Sequence, residues 1–492
     1  MGGCSGKQGI CWFLIQVKEL SPTVRLDRKH IWHPFTPFKI WLADDYEPIV
    51  IKSGKGSILI DDKQRRYLDG NSSIWVNLHG HRNPTIDRAI KKQLDKIAHS
   101  SFLGLTNEQA PRLAKRLTEF CRSPHFDGSG KRALSRVFFS DDGSTAIETA
   151  LKIIFQYHGL KGQGQRTAFV SLGKGYHGDT VGAMSLGHSD SFHGVYKKLQ
   201  FPSIEAMSPY CYRCPFNNAE PERRDARAWK RCNQECITQF QQAVESCGSR
   251  FAGTVIEPRI QGAAGMVMHP SGYLAAVSQI TKRAGGKLIF DEVMTGFYRC
   301  GLPMAFHSEK CRPDALALAK GLTAGYLPLA ATLVTHELVS AFIGKGDTTF
   351  YHGHSYSGNQ LGCAAALANL QILNSRGFRP ELAKKIVALS EAAKIFWNHP
   401  NVGDVRQMGL VLAVELVEDW RTKKAFPRSQ RVGWVISEGA KANGILTRPV
   451  GDVLLVMPPL STSIRDIRFL VKGLYKTLRK VLPAVEWDRT NG

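Results

Sequence analysis

The sequence predicts an α/β fold, with a mostly parallel sheet in a large domain and a smaller α+β domain formed by both chain ends. Three observations carry this. Between about 135 and 335, short apolar runs alternate with helical stretches, the signature of parallel strands covered on both faces. Residues 48–69 instead show short alternating runs broken by Gly54 and Gly56, and the segment after about 375 gives helices followed by two apolar strands. At 492 residues, the chain is long enough for two or three such units.

The elements follow in order. Ile49–Lys52 and Ser57–Asp61 read as a small antiparallel ribbon. After Asn83-Pro84, the apolar residues Ile86, Ile90, Leu94 and Ile97 recur at helical spacing. Strands are expected at Arg136–Ser140, Thr167–Val170, Thr254–Glu257, Lys287–Asp291 and Ala315–Leu318, and later at Leu410–Glu415 and Val453–Met457. An amphipathic helix closes the chain near Ile467–Val481. The expected boundaries are 1–29 for a loose extension, 30–85 and 366–492 for the two parts of the small domain, and 86–365 for the large one.

Composition narrows the function classes. Hydrophobic residues are 43% and charged residues 22%, which excludes disordered and fibrous chains. The longest apolar run near the start, Ile10–Ile15, is far short of a membrane span. Met1–Gly6 resembles a myristoylation start but has Gly6 where Ser or Thr is wanted. A soluble, cytoplasmic protein is expected. The net charge of +23 comes from scattered residues without aromatic interleaving or a nucleic-acid-binding motif, so it reads as a basic solvated surface. Neither nucleic acid nor membrane is an expected partner.

Three strand ends hold the candidate chemistry. Ser140-Asp141-Asp142-Gly143-Ser144-Thr145 passes from a strand into a helix, with Thr145 and Glu148 spaced as a capping box. The free N–H groups and positive dipole end of such a helix suit a phosphate. Lys287–Phe290 runs into Asp291-Glu292, placing carboxylates at the carboxyl edge of the sheet, where open α/β folds bind ligands. Ala315–Ala319 runs into Lys320-Gly321, placing an amine at the same edge. A buried amine can have a lowered pKa and attack a carbonyl, and an Asp can keep a pyridine nitrogen protonated. Phosphate cradle, acid and amine on successive strand ends are the parts of a pyridoxal 5'-phosphate (PLP) site.

With these residues the chain resembles the class III (ω-type) aminotransferases of fold type I, from about His30 to Val481. The markers are His30-Ile31-Trp32-His33-Pro34-Phe35-Thr36, Ser73-x-Trp75, Gly80-His81-x-Asn83-Pro84, Phe139-Ser140-x-x-Gly143-Ser144, Gly175-Tyr176-His177-Gly178-Asp179-Thr180, Asp291-Glu292-Val293-x-Thr295-Gly296-Phe297, Ala319-Lys320-Gly321 and Thr447-Arg448-Pro449. The opening segment and Arg448-Pro449 are most similar to the branch that aminates 8-amino-7-oxononanoate to 7,8-diaminononanoate in biotin synthesis. The resemblance implies that Lys320 links covalently to PLP and shuttles the proton, and that Asp291 pairs with the ring nitrogen. It also implies that Gly143 and Ser144 bind the phosphate and that Tyr176 stacks on the ring. Ser355 stands where relatives have a Thr that reaches the phosphate across a homodimer. Arg448 would grip the substrate carboxylate, with Trp75 and Asp179 lining the substrate side.

Phe35 and Ile74 stand where relatives using S-adenosylmethionine carry Tyr and Trp. Losing a phenol and an indole resembles the branch whose amino donor is lysine, so lysine is favoured over S-adenosylmethionine. The alternative is another ω-aminotransferase acting on ornithine, 4-aminobutyrate or a polyamine. The remote one is a basic binding protein stapled by metal. The pairs His79/His81 and His352/His354 lack a further ligand at metal spacing. Cys211-x-x-Cys214 with Cys232-x-x-x-Cys236 has the spacing of a zinc or iron–sulfur site, but Cys236 also reads as a buried helix residue. Both readings stay open, and no metal ligand is counted among the site residues.

Overall fold

A computed structural model describes residues 20–126 and 129–483. The chain divides into two compact units, residues 1–53 with 59–66, and residues 54–58 with 67–492.

In the first unit, a helix spans Pro22–His30, capped by Ser21, whose hydroxyl accepts the Val24 N–H. Asp27 ties the helix to the chain after it. Its carboxylate lies 2.9 Å from His33 Nε2 and accepts the Trp41 indole N–H at 2.8 Å. Arg28 donates to the carbonyls of Ala43 and Tyr46. The described part of the expected 1–29 extension thus carries a helix; residues 1–19 lie outside the described residues.

The second unit is built on a seven-stranded sheet. Its strands are β1 (Leu134–Ser140), β2 (Ala168–Leu172), β3 (Ile204–Ala206), β4 (Phe251–Ile256), β5 (Lys287–Asp291), β6 (Ala315–Leu318) and β7 (Ala330–Thr335), ordered β1-β7-β6-β5-β4-β2-β3. All neighbouring pairs are parallel except those of β7, which runs antiparallel to both β6 and β1. The five residues of β5 and the four of β6 are all buried, as expected of central strands covered on both faces. One apolar cluster lies around α1 (Gly143–Leu160), with Ala146, Ile147, Ala150 and Ile154 against Val255, Ile289 and Ala317. A three-stranded antiparallel sheet, Val402–Met408, Val411–Leu416 and Val453–Val456, forms a second core region with the helix Ile464–Val481.

The capping box differs from expectation. The N-cap is Asp142, which accepts the Thr145 N–H at 2.9 Å, while Thr145 Oγ1 accepts the Asp142 N–H at 3.1 Å. Glu148 takes no part, because it accepts from Thr180 Oγ1 and from the N–H groups of Gly182 and Ala183. This shift puts Gly143 and Ser144 in the first helical turn.

Candidate active site

At the carboxyl edge of the sheet lies a cavity of 440 Å³. Its walls come from the start of α1 (Gly143, Ser144), the turn after β2 (Tyr176, His177), the end of β5 (Asp291) and the turn after β6 (Lys320), with Trp75 over the mouth. Six of the expected residues therefore meet around one space.

Lys320 follows β6 at φ 43, and its amine lies 5.3 Å from the Trp75 ring centre. Burial pushes its pKa down, and Asp291 and Glu257 only partly offset that. Asp291 is fixed by two donors: the Val293 N–H at 3.1 Å and His177 Nδ1 at 2.8 Å. Burial disfavours the His177 cation, but Asp291 and Glu257 outweigh it and raise its pKa. His177 and Asp291 thus form a buried pair 2.8 Å apart in the wall of the cavity. Glu257, one residue beyond β4, accepts the Gly262 N–H at 2.8 Å; burial lifts its pKa to about 7. Glu292 is turned away into the core, where it accepts from Thr295, Ala305 and Phe306.

Tyr176 donates its hydroxyl proton to Asp179 at 2.8 Å, and its ring stacks on His193 at 5.4 Å. Burial and Asp179 both raise its pKa. Asp179 also accepts from His193; it touches the cavity wall only by way of Tyr176 and does not itself line the cavity. Ser355 and Arg448 do not line this cavity. Both are exposed, Ser355 with its carbonyl bonded to His99 at 2.7 Å.

The placement of Trp75 depends on backbone strain. Ser72, Ser73, Ile74 and Trp75 all have positive φ, from 48 to 68°, forming a left-handed turn that costs L-residues about 1–2 kcal/mol each. Side chains compensate. Asp69 accepts the Ser73 N–H at 2.9 Å and hydroxyl at 2.8 Å, Ser72 donates to the Met457 carbonyl at 2.6 Å, and Trp75 Nε1 donates to Asn71 at 2.9 Å. The buried Arg299 ties Ser72 to the carbonyls of Asn77 and Pro458.

Residues 42–478 match the class-III aminotransferase family. The chain belongs to the class III aminotransferases. It is 44% identical to the adenosylmethionine-8-amino-7-oxononanoate aminotransferase of Geobacter sulfurreducens, over 92% of this chain and 97% of that one. The enzyme of the same name from Methanocaldococcus jannaschii has a crystal structure that superposes with a TM-score of 0.84 at 37% identity, covering 93% of this chain and 98% of that one. A PLP-bound amine transaminase from an uncultivated Pseudomonas species gives a TM-score of 0.83 at 33% identity, covering 92% and 99%.

The cofactor of a class III aminotransferase is PLP, and the residues of this cavity fit it. As first-turn residues, Gly143 and Ser144 have N–H groups that the helix itself cannot satisfy. A β-carbon at Gly178, where φ is +130, would fall 2.0 Å from the Ser144 hydroxyl, and one at Gly143 would fall 2.8 Å from Val293. Bare backbone is therefore required on both sides of the anion cradle. His177 and Glu257 received no role from the sequence, although His177 stands inside the Gly175–Thr180 motif and Glu257 directly follows β4, near the edge where Asp291 closes β5. The strand-end position was the signal that could have singled out Glu257.

Proposed function

We propose that this aminotransferase converts 8-amino-7-oxononanoate to 7,8-diaminononanoate, with lysine as the preferred amino donor. The observation that carries the substrate is the near full-length similarity to enzymes named for that reaction, at 44% and 40% identity in two distant organisms. The donor rests on Phe35 and Ile74 in place of a phenol and an indole. Ornithine, 4-aminobutyrate and polyamine transaminases remain the alternative for the same chemistry.

PLP, when bound, supplies an aldehyde that condenses with amines and a ring that accepts the electron pair left by a departing proton. The chain's own residues do the rest. Lys320 would hold the cofactor and move a proton at the substrate carbon, and burial, which pushes its pKa down, favours the neutral amine these tasks need. Asp291, held in place by His177, would pair with the pyridine nitrogen of the cofactor. Gly143 and Ser144 in the first turn of α1 would hold the phosphate and Tyr176 would pack on the ring, since all three line the cavity. Trp75 and Asp179 bound the substrate side, and Arg448 grips a carboxylate with its bidentate fork.

The working form is a homodimer in which Ser355 completes the phosphate site of the partner. The exposed, apolar surroundings of Ser355 support this. Tyr351 is 74% exposed and Tyr356 63%, and the nearby Leu103 is 91% exposed. Both chain ends, 30–85 and 366–492, belong to the small domain and 86–365 to the large one in this reading. The test is a donor comparison on purified enzyme with 8-amino-7-oxononanoate. Diaminononanoate should form faster with lysine than with S-adenosylmethionine at equal concentration. The reverse order overturns the donor, and no product from either overturns the substrate.

A further inference from the structure

The segment between β3 and α2 (Glu235–Ser246) has almost no regular structure, only a three-residue turn at Cys211–Arg213 and four helical residues at Ala226–Trp229. It is nevertheless packed. Tyr210, Tyr212, Ala226 and Trp229 form an apolar cluster with Val267 and Val417. Arg213 donates to Glu415 at 2.9 Å, and Arg223 donates to the carbonyls of Trp397, Val402 and His399. Chain this irregular is costly to order, and it carries three of the chain's eleven cysteines, with a fourth, Cys236, in the first turn of α2.

Cys211, Cys214, Cys232 and Cys236 all line one small void of 20 Å³, the size of a single small occupant. Each of the four is a free cysteine. Local groups oppose the cost of burying thiolates here. Cys236 lies in the first turn of α2, whose N-cap Gln234 sits at φ 61 and gives no side-chain cap, so free N–H groups and the positive helix end lie beside this residue. Lys230 borders the same void.

We propose that Cys211, Cys214, Cys232 and Cys236 form a structural zinc site that pins the irregular segment to the start of α2. Among the described residues, no three His, Cys, Asp or Glu side chains stand at metal-ligand spacing as placed. Zinc binding in this proposal requires rotation of the four cysteine side chains, all of which line one void. Four thiols release four protons, and the tetrahedral set leaves no open position, so the ion is structural and not a catalyst. The two pairs, with two and three residues between ligands, match the spacing of such sites.

The test is elemental analysis of the full-length holoenzyme, purified without a metal-affinity step from cells supplied with zinc. About one zinc per chain is expected, released together with about four thiols on titration with an organomercurial. Cys211→Ser and Cys232→Ser should each bind zinc at least tenfold more weakly. If either variant fails to fold, the thiol-to-zinc ratio of the unmodified protein decides alone. No stoichiometric zinc, stoichiometric iron in its place, zinc released without these thiols, or the four cysteines recovered as disulfides would each overturn the proposal.

Discussion

In the proposed mechanism Lys320 and Asp291 are the central pair, an amine whose pKa burial pushes down and a carboxylate held by His177. With its pKa held below 10.5, apoenzyme Lys320 should capture PLP with a pH dependence whose midpoint lies below that value. Stopped-flow absorbance would show it, and a midpoint at or above 10.5 would contradict the role of burial. Asp291→Asn replaces the carboxylate by a neutral amide, which leaves one acceptor oxygen for the two donors His177 and Val293. Activity should fall by at least a hundredfold, on the order of 3 kcal/mol of transition-state stabilisation, with the fold intact by circular dichroism. Near-normal turnover would remove Asp291 from its role. Both residues were legible in the sequence because each stands where an apolar strand gives way at the ligand-binding edge. His177 was not, since its value lies in a 2.8 Å contact with a residue 114 positions away.

At the scale of elements, the left-handed turn Ser72–Trp75 is the costly part. Its conformation depends on Asp69, whose carboxylate holds Ser73 twice and also contacts His81 at 3.1 Å. Burial raises the Asp69 pKa, but bonds from His81 and Ser73 outweigh it and leave the pKa below 3.8. An acid depressed in this way stabilises the fold above its unfolded pKa and loses that increment as pH falls through the folded value. Asp69→Asn should therefore cost about 2 kcal/mol at neutral pH and flatten the loss of stability below pH 3.8. Denaturant unfolding across that range is the measurement; an unchanged acid limb would contradict the assignment. Strands Lys287–Asp291 and Ala315–Leu318 were read from the sequence with the bounds they have, because their apolar runs end sharply in charge. Strand β7 was not, since Ala330–Thr335 inserts antiparallel between β6 and β1, and no local pattern encodes that partner choice. The left-handed turn was also invisible. Nothing in Ser72-Ser73-Ile74-Trp75 favours positive φ, and tertiary bonds impose it.

For the whole molecule, the expected assembly is a homodimer, with Ser355 acting across the interface. Light scattering should give twice the chain mass of 54.5 kDa. Ser355→Ala should weaken PLP retention by about tenfold, the loss of one hydrogen bond to a charged group. A fully active monomer would contradict the arrangement. The basic surface, +23 in net charge, has no task in this chemistry beyond favouring anionic ligands. The most direct test of the site as a whole is borohydride reduction of the holoenzyme followed by peptide mapping. The phosphopyridoxyl group should be found on the peptide carrying Lys320, and Lys320→Ala should bind PLP without a reducible link. The label on a different lysine, or a reducible link that survives in Lys320→Ala, would contradict the assignment of Lys320 and of the cavity around it.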